Sequence, residues 1–464
     1  MTTYLDVAVV RIQSWLTRAP QLRGRRGASA MIREATDPDE VERLLAGWEE
    51  VVERCNEAGH IDGVIPLRMH TDDGDVIGRV EEHIVRGLRQ RLPAAALRTT
   101  QRSGTTWLDA QTGAIQAEHE WPPMVSEWPP GKLCDWCLAW PASKQLVVGA
   151  GDDRERRALC LDCQLREEHA GYATSSREDL APSTERDLLE QWEKRHPERP
   201  MTVPDTFEAL AVLGEEHDNT HVATVHADGN AIGTLRKAIS KAMAEGRGTG
   251  FNLPAAIEHA TWSALVDALD ATTHPDTVTL PVIAHLVGGD DLLISLPAHR
   301  AWEFTHTLQS RFTTYLAQSL ADAGLQQIAA PTISSAVVFH HRQSPLSQAA
   351  DLAAELLKSA KKRYRGRAAA LAWQDITRDG PQPLRDREAL RLDTMHDSWS
   401  ALDMLASCSA SSLANLAGLA RDGDPERLSE YAARVKVDDT VRPFTAGPLN
   451  LTDALGMVRW WRTA

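Results

Sequence analysis

Residues 287–292 read Val-Gly-Gly-Asp-Asp-Leu, two glycines and two acids set into an otherwise apolar segment. The runs on either side, 282–287 and 292–296, have strand composition. A glycine-rich break this short between two strands folds them back on each other as a tight hairpin. Its tip then carries two adjacent carboxylates inside hydrophobic surroundings, which is costly unless cations sit there. A divalent metal is the natural counter-charge. A solvated Gly-Gly-Asp turn is the competing reading of the four residues by themselves.

The hairpin belongs to a longer pattern. Strand signals at 221–228, 282–287, 292–296 and 332–339 alternate with helical periodicity from about 234, over 254–269 and from 298 to about 321. A helix at 346–364 and a last strand at 368–373 follow. The order is βαββαβ, the ferredoxin-like arrangement with an antiparallel hairpin in its middle. An earlier α/β unit runs from a strand at 4–15 through a basic segment (Arg18, Arg23, Arg25, Arg26) and a helix from about Ala28 to further signals at 63–69 and 76–92. It closes near residue 120, where Glu120-Trp121-Pro122-Pro123 and Glu127-Trp128-Pro129-Pro130 mark irregular structure, since adjacent prolines support neither a helix nor a paired strand. A polar stretch at 174–205 reads as a connection with some helix at 185–195, and from Asp386 the pattern is helical to Trp460 and Trp461.

Four of the six cysteines form two Cys-x-x-Cys pairs, Cys134/Cys137 and Cys160/Cys163, with 22 residues between them. That is the paired-knuckle spacing of structural zinc, and four thiolates fill a tetrahedral Zn²⁺ shell with no open position, so the site folds its segment rather than catalysing. A redox pair is the competing reading. Isolated Cys55 and Cys408 suit a reducing, cytoplasmic compartment better than a disulfide scaffold. No run approaches eighteen apolar residues, which argues against a membrane span or a signal peptide. A net charge of -15 argues against coating nucleic acid by bulk electrostatics, so RNA contact must come from local patches or neighbouring subunits.

Two further segments bear on the hairpin. In His226-Ala227-Asp228-Gly229-Asn230-Ala231-Ile232-Gly233 an apolar strand ends on an acid and a glycine turn opens a helix. The first strand of a βαββαβ sheet is central, so Asp228 is expected to face Asp290, with Asp291 completing a three-carboxylate metal site. Amides from Gly229 to Gly233 and the helix N-terminus favour a triphosphate; a plain turn and cap is the alternative. On the helix 346–364, Lys358, Lys361 and Arg365 lie along one stripe, either a solvated face or the cations that polyphosphate chemistry needs.

Four segments in this order resemble the palm domain of nucleotide polymerases and cyclases, and particularly the large subunit of type III CRISPR effector complexes. They are Ala227-Asp228-Gly229-Asn230-Ala231-Ile232-Gly233, Gly288-Gly289-Asp290-Asp291, Ile333-Ser334-Ser335-Ala336, and 353–361. Near the start, Val9-Val10-Arg11-Ile12-Gln13-Ser14-Trp15 and Arg23-Gly24-Arg25-Arg26-Gly27-Ala28-Ser29 resemble that family's N-terminal palm. The resemblance implies an α+β chain with two ferredoxin-like palms, a zinc-binding module between them and a helical C-terminal domain. Its boundaries are 1–125 for a degenerate first palm, 126–205 for the zinc module and linker, 206–380 for the catalytic palm and 381–464 for the helices.

It implies a nucleotidyltransferase that joins ATP into cyclic oligoadenylate messengers when the complex captures target RNA, in antiviral defence. Asp228, Asp290 and Asp291 would hold Mg²⁺ or Mn²⁺. Gly229, Asn230, Gly233, Gly288, Gly289, Ser334, Ser335, Lys358 and Lys361 would bind nucleotide, and Cys134, Cys137, Cys160 and Cys163 would hold Zn²⁺. Guide RNA, target RNA and other effector subunits are the implied partners, and the Arg23–Arg26 segment is a candidate contact with RNA or a neighbour, unless it is a solvated loop. The family's longer members carry a histidine-aspartate nuclease domain. Here the chain starts in the first palm, and His217-Asp218 and His396-Asp397 are isolated dipeptides, so cleavage of single-stranded DNA is not expected. Two other readings stay open: a stand-alone dinucleotide cyclase, and a scaffold binding guide RNA and sibling subunits with its palm acids idle.

Overall fold

A computed structural model describes residues 1–19, 22–123, 131–148, 154–170, 183–214, 219–384, 387–445 and 447–461. The second tryptophan-proline phrase and His217-Asp218 lie outside these residues. The first unit comprises β1 (Thr2–Val10), α1 (Ile12–Thr17), α2 (Leu22–Thr36), α3 (Pro38–Leu44), β2 (Val52–Arg54), β3 (Val64–Met69), α4 (Gly74–Arg91), β4 (Ala96–Gly104), α5 (Trp107–Thr112) and β5 (Ala117–Trp121). Its sheet runs β2-β3-β1-β4-β5, antiparallel throughout. Alternation places Leu5, Val7 and Val9 of β1 on the face covered by the helices, where they bury against Met31, Ile32, Val80 and Ile84.

A small module follows, with the hairpin β6 (Lys144–Val148) and β7 (Glu155–Leu159), then α6 (Leu161–His169), α7 (Thr184–Arg195) and α8 (Phe207–Val212). The second α/β unit consists of β8 (His221–Gly229), α9 (Ile232–Ala244), α10 (Leu253–Thr272), β9 (Ile283–Gly288), β10 (Asp291–Pro297), α11 (Ala301–Asp322), β11 (Ile333–His341), α12 (Leu346–Tyr364), β12 (Ala370–Asp375), α13 (Ile376–Asp379) and β13 (Leu390–Arg391). Its sheet order is β13-β12-β11-β8-β10-β9. The four strands β9-β10-β8-β11 repeat the order of β2-β3-β1-β4, so the two units share one ferredoxin-like plan. β12 adds in parallel to β11 through the α12 crossover. Leu286 and Leu293 of the hairpin strands, with Ala350 of α12, join the core of the first unit, so one apolar seam unites the two sheets.

The chain ends in α14 (Leu392–Ala406), α15 (Ala410–Asp422), α16 (Pro425–Val435), α17 (Asp438–Thr445) and α18 (Leu451–Met457). These helices pack on the back of the second sheet around Trp302, Trp373, Trp460 and Trp461. No described helix is long and apolar enough to cross a membrane.

Three sequence expectations need correction. The strand read over 4–15 stops at Val10. Arg11 turns into the left-handed region at φ 55°, and Ile12 opens a helix that buries Trp15 and Leu16. The basic segment is neither a solvated loop nor an RNA-facing patch but part of α2, with Arg25 and Arg26 only 2% and 8% exposed. Two of these arginines pair with acids inside the molecule, Arg26 Nε with Glu185 Oε2 at 2.6 Å and Arg23 Nε with Glu167 Oε2 at 2.6 Å, while Arg25 Nε donates to the Ala19 carbonyl at 3.0 Å. The third is the short edge strand β13, which interrupts the region read as wholly helical because Leu390 pairs with Leu371.

Trp460 is 1% exposed, stacks on Phe339 at 5.5 Å between centroids, and donates from Nε1 to Asp375 Oδ2 at 3.0 Å. Trp460→Ala should cost about 3–5 kcal/mol. Chemical denaturation followed by tryptophan fluorescence checks this; an unshifted midpoint contradicts the tight docking of the C-terminal helices.

Candidate active site and metal centre

The hairpin turn contains two residues, Gly289 and Asp290, and Asp291 is already the first residue of β10, paired with Gly288. Gly289 takes φ 59°, and its carbonyl accepts from Thr261 Oγ1 at 2.7 Å, which ties the turn to α10. β8 lies between β10 and β11, and its register sets Asp228 directly opposite Asp291. The residue facing Asp228 across the ladder is therefore Asp291, not the expected Asp290, because the two-residue turn places Asp290 before the strand. Side chains of directly opposed residues share one face of a sheet. Asp290 instead sits over Gly229, where an added Cβ would lie 2.4 Å from Asp290 Oδ2. Only glycine allows that approach.

Burial, and after it the charge on Asp228, push the Asp290 carboxyl up to about 6. The site is thus short of positive charge. Lys361, from the last turn of α12, supplies part of it: its Nζ donates to Asp228 Oδ2 and to the Gly229 carbonyl, the latter at 2.6 Å. Asn230 is buried, and its Nδ2 donates to Thr332 Oγ1 (2.7 Å), Ser334 Oγ (2.9 Å) and the Ala368 carbonyl (3.1 Å). Ser334 and Ser335 are both fully buried in β11; Ser334 stands opposite Asp228 in the ladder, and Ser335 points to the other face of the sheet. Gly233 is exposed in the first turn of α9, whose N-cap Ala231 makes no side-chain capping bond. Uncapped amides at a helix start suit an anion. Lys358 is exposed on α12, and Arg365 caps that helix in the left-handed region.

Two residues of the centre have no signal in their local sequence. Gln13 Nε2, from the first unit, donates to Asp291 Oδ2 at 2.9 Å and Oδ1 at 3.1 Å. It also lies 2.7 Å from His226 Nε2, which in turn is 3.1 Å from Asp291 Oδ1. Beside this triangle a cleft of about 610 Å³ opens between the end of β1, the start of α1, Arg98, Glu120 and Asp291. Its floor is thus shared by both α/β units.

The acids fit a divalent ion. Among the described residues, only the four cysteines bring three or more candidate ligand atoms within 4.8 Å of one another. Asp228 and Asp291 stand opposite each other in register with Asp290 in the adjoining turn, and Mg²⁺ needs only one or two carboxylates, completing its shell with water and substrate phosphate. The cysteines gather as their spacing predicts: Cys137 Sγ lies 3.8 Å from Cys160 Sγ. That is the edge of a tetrahedron with metal–sulfur bonds of about 2.3 Å. Hydrogen bonds among the thiols, that with Cys137 foremost, hold Cys134 well below the usual thiol range, while proximity to Cys134 pushes Cys163 far above it. Four sulfur atoms gathered within 4.8 Å of one another are the donor set and spacing that Zn²⁺ takes.

Residues 221–370 match the family model for the Cas10/Cmr2 second palm domain. No curated protein matches the chain in sequence. Solved structures share its fold across 99% of its length. A Csm1-Csm4 cassette in complex with AMPPNP aligns with a TM-score of 0.54 at 11% identity over 69% of that chain. A Csm1-Csm4 cassette in complex with cA4 gives 0.52 at 13% identity over 69% of that chain, and Csm1 of T. onnurineus 0.51 at 13% over 70%.

Because the folded Asp290 carboxyl titrates at about 6 rather than near the 3.8 of an unperturbed aspartate, ionising it opposes folding. That penalty is absent below about pH 4 and complete above about pH 6. Asp290→Asn in metal-free buffer should therefore stabilise the protein by about 1–3 kcal/mol at pH 8 and leave it unchanged near pH 4. Denaturation midpoints at the two pH values decide it, and equal effects at both remove the electrostatic account. Cys160→Ser should lower bound zinc from one ion per chain towards none and speed amide exchange over α6; full zinc content in that variant contradicts the four-thiolate site.

Proposed function

We propose that the chain is the large subunit of a type III CRISPR effector complex, a reading supported by the match of residues 221–370 to the family model for the Cas10/Cmr2 second palm domain. In this reading it converts ATP to cyclic oligoadenylate when the complex binds target RNA. The observation that carries it is the convergence of Asp228, Asp290 and Asp291 at the hairpin, short of positive charge, with Asp291 lining a cleft. The nucleotide, AMPPNP and cA4 complexes of the structurally similar Csm1-Csm4 cassettes support ATP and cyclic oligoadenylate as substrate and product.

Each residue then has a part. Asp228 and Asp291, opposite each other in register, are the first choice for holding the divalent ions, with Asp290 completing the charge. Bound Mg²⁺ or Mn²⁺ supplies activation of a 3′-hydroxyl and neutralisation of the triphosphate. Lys361 orients Asp228 and the Gly229 carbonyl, and exposed Lys358 and the uncapped start of α9 meet phosphate oxygens. Gly288, Gly289 and Gly229 let backbone and substrate approach without a Cβ in the way. Asn230 and Ser334 are positioning residues: their mutual hydrogen bonds fix the turn after β8 against β11. Ser335 is buried on the opposite face of the same strand. Guide RNA, target RNA and sibling subunits bind the assembled complex, with this chain contributing little charge of its own at a net -15.

Asp290→Ala with Asp291→Ala should remove oligoadenylate synthesis by at least 100-fold, on the order of 3 kcal/mol or more in the barrier, while the fold survives. The test incubates the full chain, alone and in its complex with target RNA, with labelled ATP and Mg²⁺ or Mn²⁺. Undiminished synthesis by the folded double variant overturns the site. No synthesis by the wild-type complex under any nucleotide leaves the idle scaffold as the function.

A further inference from the structure

The segment joining the first sheet to the catalytic hairpin is α1, a helix of six residues. Helices this short do not hold themselves together in water. Arg11 at its start offers no side-chain cap, so the conformation must be imposed at the other end. The agent there is Arg166, whose side chain is wholly buried. Its Nη2 donates to the Trp15 carbonyl at 2.7 Å and its Nη1 to the Leu16 carbonyl at 3.1 Å, satisfying acceptors that the end of a helix leaves unpaired. The guanidinium also lies 4.3 Å from the Trp15 ring centroid.

Arg166 is itself fixed by the metal-bearing module. It sits on α6, three residues after Cys163 and six after Cys160, the N-cap of that helix. Its Nε pairs with Asp162 Oδ2 at 2.8 Å, and Asp162 also accepts from Trp15 Nε1 at 3.2 Å and from Arg18 Nη2 at 2.5 Å. Asp162 is 3% exposed, so these charge-assisted bonds are made away from water and hold their geometry. α6 has no room to drift, because Gly27 of α2 lies so near the Arg166 carbonyl that a Cβ there would be 1.7 Å from its oxygen. At the opposite end of the path, Gln13 in the first turn of α1 donates to both oxygens of Asp291.

We infer that the four-cysteine module positions the catalytic hairpin: Arg166 holds α1 by its C-terminal carbonyls, and α1 presents Gln13 to Asp291. Gln13 and Arg166 are positioning residues, acting on the centre through Asp291 and α1. Two donor bonds from Gln13 fix which carboxylate lone pairs face the cleft, so the metal affinity of the site depends on an arginine beside the cysteines. The inference rests on the proposed metal role of Asp291 but not on any particular product.

Its test reads metal binding as well as turnover. Mn²⁺ binding to the full chain is followed by electron paramagnetic resonance for wild type, Gln13→Ala, Arg166→Lys, Arg166→Ala and the double variant Gln13→Ala/Arg166→Ala, with zinc content measured in each. Gln13 is half-buried and its removal leaves no cavity in the core, so Gln13→Ala folds. It should weaken Mn²⁺ binding about tenfold and raise by a similar factor the Mg²⁺ needed for half-maximal synthesis, with the KM for ATP little changed. Arg166→Lys, which keeps the ion pair with Asp162 but not both carbonyl bonds, should weaken Mn²⁺ several-fold with zinc still bound. Arg166→Ala should weaken Mn²⁺ at least as much as Arg166→Lys, and in the double variant it should add nothing to Gln13→Ala, since both act through one path. Unchanged Mn²⁺ affinity in Gln13→Ala, or strictly multiplicative effects in the double variant, overturns the inference. Wild-type protein that binds Mn²⁺ tightly yet makes no oligonucleotide overturns the proposed function and leaves this inference standing on its binding data.

Discussion

Everything at the centre of the molecule follows from the pairing of β8 with β10, which sets two carboxylates side by side on neighbouring strands. Like charges directly opposite each other weaken a ladder, and burial raises the cost. The surrounding structure supplies the remedy in pieces from distant parts of the chain. Lys361 comes from α12, Gln13 from the first unit and His226 from two residues earlier on β8. None of these cancels the charge on Asp290, whose carboxyl stays well above the aspartate range. The strands around the candidate site are buried along nearly their whole length, and the packing of β8, β10, β11 and β12 offsets the cost of holding these acids together.

Much of this was legible in the sequence because it is local. The Gly-Gly-Asp-Asp turn, the acid at the end of β8 and the 22-residue cysteine spacing each carry their physics within a few residues. The helices and strands of the second unit fall close to the expected bounds, since apolar periodicity there is strong. What was not legible depends on register and on long-range packing. That Asp228 opposes Asp291 rather than Asp290 follows from a turn of two residues instead of three, a choice no composition reveals. Gln13 is separated from Asp291 by 278 positions, and nothing beside it in the sequence marks it as part of the site.

The arginines of α2 show the same limit from the other side. A run of basic residues reads as a solvated or nucleic-acid-facing segment, because isolated charges are seldom buried. Here two are buried, and one of them, Arg26, is fully paired: it bonds Glu185 twice and donates to the carbonyls of Pro204 and Asp205. Removing one partner of such a pair leaves an uncompensated buried charge, so these residues tie the module and α7 to the first sheet rather than advertise a surface.

The contact between Gln13 and Asp291 also imposes an order on how the protein is made. At about 5–20 residues per second, Asp291 leaves the ribosome roughly 15–55 s after Gln13. α1 must wait through that interval with its eventual partner not yet synthesised. Arg166, only 153 positions after Gln13, arrives about midway and closes on the Trp15 and Leu16 carbonyls while the second sheet is still unmade. The N-terminal half thus holds the partners that fix the C-terminal end of α1, and its core closes only when Leu286 and Leu293 arrive.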